Sequence, residues 1–213
     1  MAITAQSILQ RVVTSLTDES NVRWTLTELI RYFNDGQREI VTYRPDSTST
    51  TSTVALVAGA RQTIPTTAFK VLDVIRNTGG VAVRKIDMKL LDAQVPAWQS
   101  GTTSTTIKHY MYDLRDIDVF YVYPPAAVGA SLEMLLSVKP TDISETTSMV
   151  VVAGNLSVQD LFANALQEYI LYRAFAKDAE YAGNAGLAAA HYQAFQNAVG
   201  VEASATGAAA PKQ

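Results

Sequence analysis

The chain has 213 residues, a formal net charge of -3, a charged fraction of 17% and a hydrophobic fraction of 48%. That length supports one domain with a sizeable core or two small lobes. The absence of cysteine excludes disulfide frameworks, thiolate zinc sites and cysteine nucleophiles, and the mild acidity with no dense Lys/Arg run argues against binding nucleic acid by phosphate neutralisation.

The first element is helical. Ile8, Leu9, Val12, Val13 and Leu16 form an apolar stripe, Thr4 is the candidate N-cap, and Ile3 with Ile8 would make a hydrophobic staple. A polar turn, Asp18 to Asn21, leads into a second amphipathic helix within Trp24–Asp46. Thr25 and Glu28 have the spacing of a capping box, and Trp24 and Leu29 that of a staple. Leu26, Leu29, Ile30, Phe33, Gln37 and Ile40 share one face, and Pro45 ends the helix by forcing the preceding residue out of the α region. Gly36, inside the helix, costs about 1 kcal/mol against Ala, and its simplest use is close approach of another helix. The opposite, polar face carries Arg31, Asn34, Asp35, Arg38 and Glu39.

Residues 47–154 read as a β-rich lobe. A Ser/Thr run over Ser47–Thr53, a solvated linker, opens it. Thr51–Val57 and Arg61–Ile64 are expected to pair as a hairpin around Ala58-Gly59-Ala60. Val71–Arg76 and Val81–Ile86 are expected to do the same around Asn77-Thr78-Gly79-Gly80, where glycine accepts positive φ. Met88–Ala93 is a short helix or turn. Thr106–Tyr112 and Val119–Tyr123 flank an Asp/Arg turn, with Pro124-Pro125 ending the second strand. Ser131–Val138 alternates, Leu132, Met134, Leu136 and Val138 facing one way. Met149–Val152 is a candidate last strand.

Residues 155–200 return to helix. Ser157 and Asp160 resemble a capping box with Leu156 and Leu161 as its staple. Leu161, Phe162, Ala165, Leu166, Tyr169, Ile170 and Phe175 continue the stripe. Gly183 breaks it, and Leu187, Ala190, His191, Phe195 and Val199 form a final helix stopped at Gly200. Residues 201–213 have no anchoring side chains and read as a flexible tail. Helix pairs distant in sequence, each without a complete core, should pack together. The expected fold is therefore α+β: a four-helix bundle from residues 1–46 and 155–200 with an antiparallel β lobe, 47–154, inserted between its halves. No apolar run approaches the ~18 residues of a membrane span, and MAITAQSILQRVV lacks the basic-then-apolar pattern of a secretion leader, so synthesis and retention in a cytoplasm are expected.

Residues able to do chemistry are few. His109 lies in a strand-like run and His191 on an Ala-rich helix; no G-x-S-x-G elbow accompanies them, and each reads as a packing or solvated histidine. Asp113, Asp116 and Asp118 have the ligand type for a hard cation but lack the Gly and distal Glu of a calcium loop, and a solvated turn accounts for them equally. Gly79-Gly80 is followed by neither a lysine nor a helix start, so it is no phosphate cradle. No catalytic, cofactor or metal residue is assigned. Tyr110, Tyr112, Phe120, Tyr121 and Tyr123 cluster on paired strands, where exposed rings would stack on sugars or a protein partner and alternation would send others inward.

The ordered pattern Trp24…Glu28-Leu29-Ile30…Asn34-Asp35-Gly36-Gln37-Arg38-Glu39-Ile40…Arg44-Pro45-Asp46 resembles the head-to-tail adaptors of tailed phages, in particular those of short-tailed phages related to tail tubular protein A. The likeness continues through Gly59 and Gln62 with Ile64-Pro65, Arg76-Asn77, Leu91-Asp92, Pro96-Ala97-Trp98, His109-Tyr110 with Tyr112-Asp113, and Phe120 to Pro125. It covers roughly residues 20–175 and weakens in the final helix. The resemblance implies a structural virion protein and no enzyme. It also implies a dodecameric homo-oligomeric ring beneath the portal protein, joined to the tail nozzle, with tail fibres as a further partner. DNA would pass through without sequence-specific binding, and no membrane or cofactor is involved. In such a ring Arg31, Asn34, Asp35, Arg38, Glu39, Tyr121 and Tyr123 are the candidate subunit or partner contacts, and the tail would order on the portal. The alternatives are another head-completion or tail subunit and a carbohydrate-binding β module resting on the tyrosines.

Overall fold

The computed structural model describes residues 3–178, 180–181 and 183–209. The fold is α+β. Among the described residues there are five α-helices, α1 (Ala5–Leu16), α2 (Leu26–Tyr43), α3 (Met88–Gln94), α4 (Ala163–Lys177) and α5 (Asn184–Ala209). The strands are β1 (Ser49–Ala55), β2 (Gly59–Thr63), β3 (Ala68–Asn77), β4 (Arg84–Lys85), β5 (His109–Tyr112), β6 (Val119–Ala126) and β7 (Ser131–Val138), in two sheets. The chain divides into two compact units, residues 1–47 with 140–213 and residues 48–139.

In the helical unit α1 starts where Thr4 Oγ1 accepts from the Ser7 N–H at 3.2 Å. It ends at Thr17 in a left-handed conformation, φ 53°. The Asp18 carboxylate then accepts from the N–H groups of Val22, Arg23 and Trp24 at 2.9–3.0 Å, bonds that hold its pKa below the usual range, Trp24's foremost. Thr25 and Glu28 form the full capping box at the start of α2. The Trp24 indole donates to the Ala174 carbonyl at 2.9 Å, fixing the start of α2 against the end of α4. Leu26, Leu29, Ile30, Phe33, Gln37 and Ile40 are all buried. At Gly36 an added Cβ would fall 2.6 Å from Leu166 Cδ1 and 2.8 Å from Tyr169 Cδ1, so glycine is what lets α2 and α4 approach. On α5, Phe195 is fully buried and meets the rings of Tyr43, Tyr169 and Tyr192.

Ser157 does not cap a helix: its hydroxyl accepts from the Thr141 N–H at 3.0 Å and its own N–H is taken by Gln37 Oε1 at 2.7 Å. The helical path begins instead with a 3₁₀ turn at Asp160–Phe162, which leaves Leu161 exposed and no staple. Met149–Val151 is a 3₁₀ turn, not a strand. The helical one of the two compact units takes in residues 140–154. Finally, α5 runs through Gly200 to Ala209, because glycine at that point keeps helical geometry; the last residues of the expected tail, 210–213, lie outside the described residues.

In the other unit β1, β7 and β3 make an antiparallel three-stranded sheet in that order, and β2, β6, β5 and β4 a four-stranded one whose β4–β5 pair is parallel. One core draws on both sheets: Val54, Val71, Val74, Leu132, Met134 and Leu136 from the first, Tyr110, Phe120, Val122 and Ala126 from the second. A smaller core on the far face of the second sheet gathers Met111, Ala60, Leu91 of α3 and Trp98, with Tyr121 and Tyr123 half-buried against it. Strand alternation explains the split: residues 110, 120 and 122 face one way, 111, 121 and 123 the other.

Two expected hairpins do not form. β1 pairs with β7 and β2 with β6, so the chain changes sheet at Ala58-Gly59-Ala60. The Gln62 side chain supports that crossing, accepting from the Val57 N–H and donating to the Val57 and Gly59 carbonyls at 2.8–2.9 Å. The Asn77–Gly80 turn is made, with Gly79 at φ 71°, but its second arm keeps a single bridge, Arg76 with Ala82, before crossing to β5. The β5–β6 hairpin forms as expected, and β6 runs on past Pro124-Pro125, through a cis Tyr123–Pro124 bond, to Ala126.

Candidate assembly surface

The polar face of α2 is the first candidate surface, and most of it meets the chain's own returning segment. Asn34 is buried; its amide donates to the Ile143 carbonyl at 3.1 Å and accepts from the Ile143 N–H at 3.0 Å. Arg31 forks onto Glu145 at 2.8 and 3.0 Å, a pairing that raises the guanidinium pKa and lowers that of the carboxylate. Arg38 pairs with Asp142 and, at 3.0 Å, with Asp35. Asp35 also lies 3.7 Å from Arg173, whose guanidinium sits 5.0 Å over the Tyr32 ring. Glu39 is half-buried. Of the five polar positions, Asn34 is therefore an internal clamp, and Arg31 and Arg38 are exposed pairs along the rim of residues 142–145. Nothing in the periodicity of residues 140–148 points to this: the segment has no regular structure, and its partner lies about a hundred positions upstream.

Tyr121 and Tyr123, the second candidate pair, are half-buried. Tyr121 meets Trp98 edge-on at 6.0 Å between ring centroids, and Tyr123 stacks on His109 at 6.3 Å. Tyr110 is buried and its hydroxyl donates to Asp73 at 2.8 Å; burial first, and Asp73 next, push its pKa up. These rings pack into the sheet and against α3's neighbourhood.

Several residues of the ordered signature share one use: they satisfy the chain's own polar groups. Asn77 is buried, donates to the Val81 and Ile107 carbonyls at 2.8 Å and accepts from the Ile107 N–H at 2.7 Å. The Trp98 indole donates to Asp92 at 2.7 Å. With Gln37, Asn34 and Gln62 they read as devices that fix a particular chain path. The family model described as SU10 adaptor protein matches residues 3–212. The chain belongs to this family. No curated protein matches it. The adaptor is thus a structural phage protein of a non-enzymatic class, and as such a virion component. No described helix is long and apolar enough to cross a membrane.

Two side chains able to do chemistry, His191 and Asp113, have partners within the chain. His191 Nδ1 lies 2.6 Å from Glu168 Oε2 and its ring stacks on Phe175. Asp113 is bound by Arg115 through side chain and backbone, which holds its pKa at about 2 and keeps it within its own turn. Among the described residues no group of three His, Asp or Glu is arranged for a metal.

Proposed function

We propose that this adaptor forms a dodecameric ring between portal protein and tail nozzle, around a channel through which DNA passes, as in the short-tailed phage adaptors related to tail tubular protein A. The observation that carries the reading is the family match over residues 3–212. In it, residues 1–46 and 155–200 act as a four-helix bundle and the β lobe between them as an insertion. A net charge of -3 suits a channel protein over which DNA slides, since few phosphates would be neutralised. Assembly takes place in the host cytoplasm, with the free chain mainly monomeric and the ring forming on the portal.

Arg31, Asp35, Arg38 and Glu39, with Tyr121 and Tyr123, are the proposed rim of subunit contacts; Asn34 contributes through the segment it holds. The decisive experiment is cryo-EM of the chain mixed with purified portal. A ring of copies seated on the portal's tail-facing side supports the reading. A position elsewhere in the virion assigns the chain to another head-completion or tail subunit. Light scattering that finds a stable dodecamer of the isolated chain refutes portal-dependent assembly.

A further inference from the structure

Charge is unevenly divided along this acidic chain. Residues 48–139 hold nine Lys/Arg against seven Asp/Glu, net +2, while the remaining residues hold eight against thirteen, net -5. Cations pair with carboxylates in both units, in the β unit Arg76 with Glu133 and Arg115 with Asp113. In the helical unit Arg23, Arg31, Arg38, Arg44, Arg173 and Lys177 each pair with a carboxylate. In the β unit Arg84 and Lys85 on edge strand β4, Lys89 on α3 and Lys108 beside β4 are exposed, and none meets a carboxylate among the described residues. On the same stretch of chain α3 exposes Leu90, and Val95, which follows the helix, is exposed too; Leu91 alone of the helix is buried.

Exposed apolar side chains on the same stretch of chain as these cations suit a protein contact. Phosphate tracking fits it poorly: Arg84 and Lys85 are successive strand residues on opposite faces, and the exposed carboxylates of Asp87 and Asp92 stand among the cations. The opposite combination occurs on the helical unit. Arg23 pairs with Asp178 and lies 4.4 Å over the Tyr181 ring, which brings the α1–α2 and α4–α5 connections to one end. That end exposes Val22 and Tyr181 beside Glu19 and Glu180.

We propose that the β4–α3 edge of one copy docks on this acidic end of the helical unit of a second copy. The contact is head-to-tail, between unlike surfaces, as closure of a ring requires. It names the partner surface within the ring reading and rests on that reading for its setting.

The test uses the full-length chain assembled on purified portal, with portal binding scored separately by co-sedimentation, so that loss of this contact is distinguished from loss of portal binding. Equal amounts of ¹⁴N- and ¹⁵N-labelled protein in that assembly are joined with a zero-length carbodiimide, and mixed-isotope cross-links are mapped by mass spectrometry. The expected links join Lys85, Lys89 or Lys108 to Glu19 or Glu180. Their yield should fall about fivefold or more between low salt and 0.5 M salt, where the Debye length shrinks to a few ångströms. It should fall equally in Arg84→Glu/Lys85→Glu, and return when that variant is mixed with Glu19→Lys/Glu180→Lys. Absence of mixed-isotope links between these surfaces overturns the proposal. So does an unchanged yield in the reversed variant, or a variant whose only defect is weaker binding of duplex DNA.

Discussion

Asn34 and Ile143 are joined by two hydrogen bonds, amide to carbonyl at 3.1 Å and N–H to amide oxygen at 3.0 Å. The pair is buried, whereas the Arg31–Glu145 and Arg38–Asp142 pairs beside it are open to water. A buried donor or acceptor left without a partner costs its full desolvation, but exposed ion pairs contribute little. Asn34→Ala should therefore lower stability by about 1–3 kcal/mol, read from the urea midpoint. Arg31→Ala should leave that midpoint nearly unchanged. Equal effects would mean that the rim, and not the clamp, holds residues 142–145.

At Gly36 two tendencies compete. Replacing a helical glycine by alanine gains about 1 kcal/mol in propensity, but here the methyl would fall 2.6 Å from Leu166 Cδ1 and 2.8 Å from the Tyr169 ring. Overpacking of this kind costs about 1–3 kcal/mol. Gly36→Ala should lower the thermal midpoint. Gly186→Ala, on α5 with open space around the new methyl, should leave it unchanged or raise it.

The pair Glu28–Lys177 makes stability depend on pH. The Lys177 hydrogen bond at 2.7 Å is the main cause that lowers the Glu28 pKa from 4.5, with Thr25 adding to it. A carboxylate whose folded pKa is depressed contributes fully above its unfolded value and loses that contribution as pH falls through the folded one. Glu28→Gln should therefore reduce stability at pH 7 and leave it nearly unaltered near pH 2, so that the difference from the parent protein closes through the acid range. Urea titrations at a series of pH values would show this; a constant offset would assign the loss to the cap alone.

Asn77 is expected to matter more than any exposed residue of its unit. Its three bonds satisfy both backbone groups of Ile107, which is fully buried, and the carbonyl of Val81. Asn77→Ala should cost about 2–4 kcal/mol, since more than one buried group loses its partner. Asn77→Asp, which keeps the acceptor and loses the donors, should also destabilise. The loss should appear in hydrogen exchange at Ile107 and along β5 before it appears in α1 or α2.

What could be read from sequence was whatever is decided within a few residues. The Thr25–Glu28 box, the stripe of α2, the glycine at 36 and the alternation of β7 all follow from local spacing, and the structure has each of them. Strand partners were not legible in the same way. Asn77-Thr78-Gly79-Gly80 does turn the chain, but turn chemistry does not say which sheet the next strand joins, and Asn77 itself helps carry the chain across. Ser157 failed for the same reason: a hydroxyl that suits a cap suits Thr141 equally, and only the tertiary path decides between them. The polar face of α2 looked free because its partner, residues 141–145, has no periodicity to announce it.

The excursion from residue 48 to residue 139 leaves and returns through one fastened base. On the outgoing side the Ser47 carbonyl accepts from Gln159; on the returning side Asp142, Ile143 and Glu145 are tied to Arg38, Asn34 and Arg31, and Ser157 to Gln37. Every one of these ties is made within the helical unit, and none depends on what the intervening residues are. The closure of the helical unit is thus set by its own residues, and a change confined to residues 48–139 leaves every one of these ties in place.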